Sequence, residues 1–93
     1  MATVHVPALL RELTGGAPEV HVPLPPGERI TVRALLERLD AQHAGVLEAL
    51  LYQGDLMPGI AVFIDNDQAL MGLQAKVEGD ANVHCLPPMV GGA

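Results

Sequence analysis

Four histidines, one cysteine and a glycine pair are the residues of this 93-residue chain from which chemistry could be built. The pair, Gly91-Gly92, follows Leu86-Pro87-Pro88-Met89-Val90 and precedes Ala93. Two prolines remove backbone donors and stiffen the exit from whatever strand precedes them. Two glycines offer no side chain to pack, so residues 89–93 are expected to form a thin, flexible tail beyond a folded unit of residues 1–88. Taken alone, such a pair is no more than a frayed terminus. A second pair, Gly15-Gly16, lies inside the chain and reads as a structural turn.

His5, His21 and His84 each fall on the polar side of an alternating segment. If the first strand sits between the second and the last, all three imidazoles share one open sheet face. Three imidazoles could ligate zinc or copper; surface histidines are the plainer reading, and no metal is assigned. The same face could receive a partner, and protonating all four histidines would move the formal charge from −6 to −2. Cys85 alternates with Val83 onto the apolar side and reads as core, since a reactive thiol needs an exposed, cationic setting. Asp65 and Asp67 read as a solvated turn rather than a metal pair. Met57, Met71 and Met89 read as packing or partner contacts.

The elements that must position these groups are legible in outline. Thr3 to Pro7 and Glu19 to Leu24 alternate as strands, with Val4, Val6, Val20, Val22 and Leu24 inward. The eleven residues between them are too many for a tight turn, and one helical turn stopped at Gly15 is expected. A helix is predicted from about Val32 to His43, with Thr31 as N-cap and Ile30 and Leu35 as a hydrophobic staple. Val32, Leu35, Leu36 and Leu39 form its apolar stripe, and Arg33, Glu37, Arg38 and Asp40 its solvated side. Gly45 ends it, and Val46 to Leu51 reads as a second short helix before Gln53-Gly54-Asp55. Ile60 to Ile64 is a nearly continuous apolar run, predicted as a strand buried on both sides. Asp65-Asn66-Asp67 and Glu78-Gly79-Asp80 are turns. Asn82 to Pro87 is the last strand. The expected order, β–β–α–β–(short β)–β, implies an α+β fold with one mixed sheet of four to five strands and one main helix across a face.

Composition narrows the function. Tyr52 and Phe63 are the only aromatics, so Val, Leu, Ile and Ala must build the core. Five Lys/Arg against 11 Asp/Glu argue against nucleic acid and anionic membranes, and favour a partner with a basic patch. One cysteine excludes an internal disulfide framework. The first residues show neither a basic nor a long apolar run, so no signal peptide is expected and a cytoplasmic location is. No apolar run is long enough to span a membrane. So small a chain is a better component than an enzyme.

The pieces in this order resemble the ThiS/MoaD family of ubiquitin-like sulfur carriers. The resemblance rests on the opening strand followed by Leu10-Arg11-Glu12-Leu13-Thr14-Gly15-Gly16, and on the helix Val32-Arg33-Ala34-Leu35-Leu36. It continues through Val62-Phe63-Ile64-Asp65-Asn66, Glu78-Gly79-Asp80-Ala81-Asn82-Val83 and Leu86-Pro87-Pro88-Met89-Val90-Gly91-Gly92. The Leu-Thr-Gly-Gly loop looks closest to carriers of the cysteine-biosynthesis type.

That resemblance implies a β-grasp fold and a protein co-substrate rather than an enzyme. It implies that the Gly92 carboxylate is the working group: an E1-like adenylyltransferase activates it with ATP, and sulfide or a persulfide converts it to a thiocarboxylate. A biosynthetic enzyme then accepts the sulfur, and the chain binds no cofactor of its own. Gly91 and Gly92 would thread a narrow channel, with Leu86, Met89 and Val90 docking on the activating enzyme. Ala93 departs from the pattern, because it holds Gly92 in a peptide bond. By analogy with extended family members, a JAMM-type metalloprotease would remove it. The alternatives are the small subunit of a molybdopterin synthase, a protein-conjugating modifier, and a binding or regulatory module with no thiocarboxylate chemistry.

Overall fold

The computed structural model of the chain describes residues 1–86. Alternation of apolar and polar residues produces β1 (Ala2–His5), whose Ala2 and Val4 are buried. A 3-10 helix, Ala8–Thr14, follows and is stopped by Gly15 in the left-handed region at φ 67°. β2 (Glu19–Val22) returns antiparallel to β1, with Val4 opposite Val20. Both strands are shorter than their apolar alternation, yet Val6 and Leu24 beyond them are still buried.

β3 (Arg29–Thr31) leads directly into α1 (Val32–Gln42). The Thr31 hydroxyl accepts the Ala34 N–H at 3.1 Å, as the sequence predicts for an N-cap. Val32, Leu35, Leu36 and Leu39 are the buried face of α1. Burying each such side chain stabilises the fold by roughly 1.5–3 kcal/mol. On the other side, Arg33 approaches Glu37 at 3.8 Å, and Arg38 reaches Glu28 at 2.7 Å. Asp40 departs from the expected solvated role. Its Oδ1 accepts the N–H groups of Gly45 and Leu47, at 3.0 and 3.1 Å. It thereby caps α2 (Val46–Leu50), whose N-cap is Gly45, while α1 ends at Gln42 with His43 as its C-cap, close to the predicted end.

Leu51 opens β4 (Leu51–Tyr52), so α2 stops one residue short of the expected end. β4 pairs with β5 (Asp55–Leu56) across a turn in which Gln53 and Gly54 have φ of 55° and 82°. β6 (Ala61–Ile64) is not buried on both sides, as its apolar run suggested. Only Val62 is fully buried, and Phe63 is half-exposed because it stands opposite His84 on the open face. The turn Asp65-Asn66, with φ of 49° and 76°, leads into β7 (Asp67–Gln68). A 3-10 turn at Gly72–Gln74 precedes β8 (Lys76–Glu78), which pairs with β3. The last described strand is β9 (Asn82–Leu86). The expected extension to Pro87, and the boundary at residue 88, lie outside the described residues.

The main sheet has the order β2-β1-β9-β6-β7, with β1 and β9 parallel and the other neighbours antiparallel. The inner face contributes Ala2, Val4, Val20, Val22, Val62, Val83 and Cys85 to the core, and α1 lies across it with its four-residue stripe. Val46, Leu50, Leu73 and Val77 close the ends. This is the α+β architecture expected: a mixed five-stranded sheet with one main helix across one face, the β-grasp arrangement. The strand pairs β3–β8 and β4–β5 were not anticipated. No helix among the described residues is long and apolar enough to cross a membrane.

Candidate functional site: the end of the last strand

β9 runs through the middle of the sheet, bonded to β1 on one side and β6 on the other. Strand alternation splits its side chains: Val83 and Cys85 face the core, while Asn82, His84 and Leu86 face outward. Leu86 is 45% exposed, and its backbone is paired with Ala61. The expected site residues Gly91 and Gly92, the processing residue Ala93, and the docking residues Met89 and Val90 lie outside the described residues. Leu86 is therefore the one candidate whose setting is described, an apolar side chain held open to solvent by a fixed strand.

Cys85 is buried, as alternation predicts, and burial pushes its thiol up to about 11. A thiolate is the nucleophilic form, so this sulfur is a packing group. Beyond it an apolar groove of about 120 Å³ is lined by Pro7, Leu9, Leu10, Leu50, Met57 and Ile60. Leu9 is 82% exposed at its edge. The adjacent Leu9-Leu10 pair, on a segment with no strand to bury it, is the sequence signal for this groove.

The open face brings Glu19, His5, His84, Phe63 and Gln68 into one row, each opposite the next on β2, β1, β9, β6 and β7. His5 and His84 stack with ring centroids 3.9 Å apart and planes 1° apart. His5 Nε2 lies 3.1 Å from Asn82 Oδ1, and His5 Nδ1 lies 3.7 Å from Glu19 Oε2. Proton binding to His84 is held below the usual range, first by desolvation and then by the charge of His5. The condition set by the sequence, β1 between β2 and β9, is met. Even so, His21 does not join the pair: it stands opposite Thr3, its Nδ1 3.1 Å from the Thr3 hydroxyl. Among the described residues no group of three His, Cys, Asp or Glu could hold a metal ion.

A cleft of about 300 Å³ joins this pair to Arg11, Glu19, Pro18 and Leu86. Arg11 Nε donates to the Val6 carbonyl at 3.2 Å, and Arg11 lines the cleft that Leu86 also lines. Arg11 and Glu19 were not singled out from sequence as site residues. The loop that carries Arg11 is shaped by Gly15 and Gly16, whose φ values of 67° and 88° a side chain would strain. Their structural role is as expected. Buried Thr14 holds the same loop, its hydroxyl 2.9 Å from the Ala17 carbonyl. Asp65 serves the turn, as expected, while Asp67 is exposed at the sheet edge. Met57 lines the groove, and Met71 is 70% exposed in the loop after β7.

No family model matches the chain, and no curated protein matches it significantly. Solved structures do. A chain of the Amycolatopsis orientalis BexX/CysO complex shares 28% identity, with 99% of this chain and 100% of that one covered and a TM-score of 0.85. Mycobacterium tuberculosis CysO, described as an antigen, shares 26% identity over 96% of this chain and 100% of its own, with a TM-score of 0.81. The small archaeal modifier protein SAMP1 of Methanosarcina acetivorans shares 28% identity over 98% and 95%, with a TM-score of 0.72. Strand order, helix placement and similarity over essentially the whole length give this chain the ubiquitin-like β-grasp fold, and it resembles the ThiS/MoaD-like carrier and modifier proteins among its structural neighbours.

Proposed function

We propose that this chain is a sulfur carrier whose working group is the carboxylate of Gly92. The observation that supports it most is the full-length similarity to CysO, together with a central last strand, β9, that ends at Leu86 five residues before Gly91-Gly92 in the sequence. Release of Ala93, by a JAMM-type metalloprotease, frees the Gly92 carboxylate. An E1-like adenylyltransferase joins that carboxylate to the AMP moiety of ATP and releases pyrophosphate. Hydrosulfide then attacks the acyl carbon, the bond to AMP breaks, and a thiocarboxylate remains at Gly92. A biosynthetic enzyme takes the sulfur and returns the carboxylate.

In this reading residues 1–88 are the recognised body and residues 89–93 the tail. The chain is a co-substrate in the cytoplasm, and the ATP belongs to the activating enzyme. Leu86, Met89 and Val90 dock on that enzyme. Complex formation by the A. orientalis neighbour with BexX supports a role carried out on partner enzymes.

The test uses the chain ending at Gly92, incubated with ATP, hydrosulfide and an E1-like enzyme from the same cell. Replacement of one oxygen by sulfur in the intact mass is the expected result. An isopeptide-linked adduct would instead indicate a modifier, the reading that similarity to SAMP1 favours. Neither product, with several activating enzymes, would leave a binding module.

A further inference from the structure

The stacked imidazoles sit at a particular place in the chain. The register between β1 and β9 runs Thr3–Asn82, Val4–Val83 and His5–His84, so the stack is the last rung on that side of β9. Beyond it, among the described residues, β9 is paired with β6 alone, through Cys85–Val62 and Leu86–Ala61. Whatever holds His84 against His5 therefore holds the root of the C-terminal segment to the β1 side of the sheet.

Two neutral imidazoles tolerate a face-to-face approach of 3.9 Å, and one protonated ring against a neutral one does as well. Two imidazolium ions at that distance repel, by an amount that grows as solvent is excluded. The surroundings decide how far the repulsion is relieved. From β2, the Glu19 carboxylate approaches His5 Nδ1 at 3.7 Å, and it forms an ion pair when His5 carries a proton. From β9 itself, Asn82 Oδ1 lies 3.1 Å from His5 Nε2. Both favourable groups face His5. On the far side of His84, β6 offers Phe63, which carries no charge. The 3-10 helix offers Arg11, which lines the same cleft and adds positive charge. His21, on β2, is engaged with Thr3 one register step away. The Cys85 thiol is buried and faces the core. A second proton, on His84, thus finds a cation beside it and no carboxylate of its own.

We propose that the His5–His84 stack is a proton-operated clasp that fixes the end of β9 to β1 at neutral pH and opens in acid. The opening affects one rung only, so the core and the β6 side of β9 stay intact. The clasp concerns the hold of β1 on β9 at His84 and Cys85, and it stands whether or not the tail carries sulfur.

Amide hydrogen exchange of the full chain, divided by the intrinsic rate at each pH, tests this at pH 7.5 and 5.5. In the wild type, protection at Cys85, whose N–H faces β1, is expected to fall at least about fivefold in acid. Leu86, paired with Ala61 of β6, is expected to keep its protection. Protection across the Val4–Val20 part of the β1–β2 pair is expected to stay constant. The His84→Phe variant keeps an aromatic ring and removes the titration, so its β9 protection is expected to be independent of pH. Should H84F fail to fold, His5→Gln removes the opposing charge and makes the same prediction. Equal wild-type protection at the two pH values would overturn the clasp. So would an acid loss of the same size in the foldable variant.

Discussion

Asp65 holds Asn82 with two hydrogen bonds of 2.9 Å: its backbone N–H donates to the Asn82 carbonyl, and its carboxylate accepts the Asn82 N–H. The turn after β6 is thereby tied to the first residue of β9. The same Asn82 meets His5 through its side chain, so one residue joins the turn, the last strand and the stacked pair.

Asp65→Ala removes the carboxylate and leaves at φ 49° a residue with no side-chain oxygen to favour that backbone. The expected cost is about 1–2 kcal/mol, from the lost acceptor and the left-handed backbone. Asp65→Asn keeps an oxygen acceptor and tolerates that backbone, and is expected to lie within about 0.5 kcal/mol of wild type. Urea unfolding midpoints compare the two.

Asp40→Ala is expected to destabilise the chain by about 1–2 kcal/mol, because the Gly45 and Leu47 N–H groups lose their shared acceptor. The loss should be local. Nuclear magnetic resonance of the variant is expected to show changes concentrated at 43–50, with α1 retained. Uniform shifts throughout the core would contradict a capping role.

Cys85 is expected to resist alkylation and disulfide exchange at pH 8 in the native chain, where its thiol is pushed up to about 11, and to react at once in denaturant. Iodoacetamide labelling followed by intact mass distinguishes the cases. Rapid native labelling would show an accessible thiolate.

His84 makes stability depend on pH, and the sign is fixed by its lowered proton affinity in the fold. Between the unfolded value of 6.5 and the lower folded one, the unfolded chain binds more protons. The His84 contribution is therefore complete above pH 6.5 and declines as pH falls below it, until folded His84 is protonated too. The wild type should lose more stability than H84F between pH 7.5 and 5.5. Denaturation midpoints of both chains, taken as a difference, cancel the carboxylates they share.

Much of this fold was written locally. Thr31 and the Val32, Leu35, Leu36, Leu39 stripe specify α1 within a dozen residues, and strict alternation places Val83 and Cys85 inward. What escaped is what depends on distant pairing. Arg29–Thr31 becomes a strand because Lys76–Glu78 lies beside it, and neither segment alternates enough to declare itself. Phe63 reads as core in an apolar run, and only its register opposite His84 shows it on the open face. Likewise His5 and His84 are 79 positions apart in the numbering, and sequence could bring them to one face but not into contact. Arg11 lies in the motif that carries the resemblance, while its place in the cleft beside Leu86 depends on a bond to the Val6 carbonyl that the sequence does not announce.

The parallel pairing of the first strand with the last has a mechanical consequence. A partner that draws on the chain beyond Leu86 pulls β9 along its own axis, between neighbours on both sides. Backbone bonds lie across that direction, so they are loaded together in shear rather than peeled one at a time. The sheet thus anchors the end of β9 against traction applied beyond Leu86, with the load shared by bonds to two neighbouring strands.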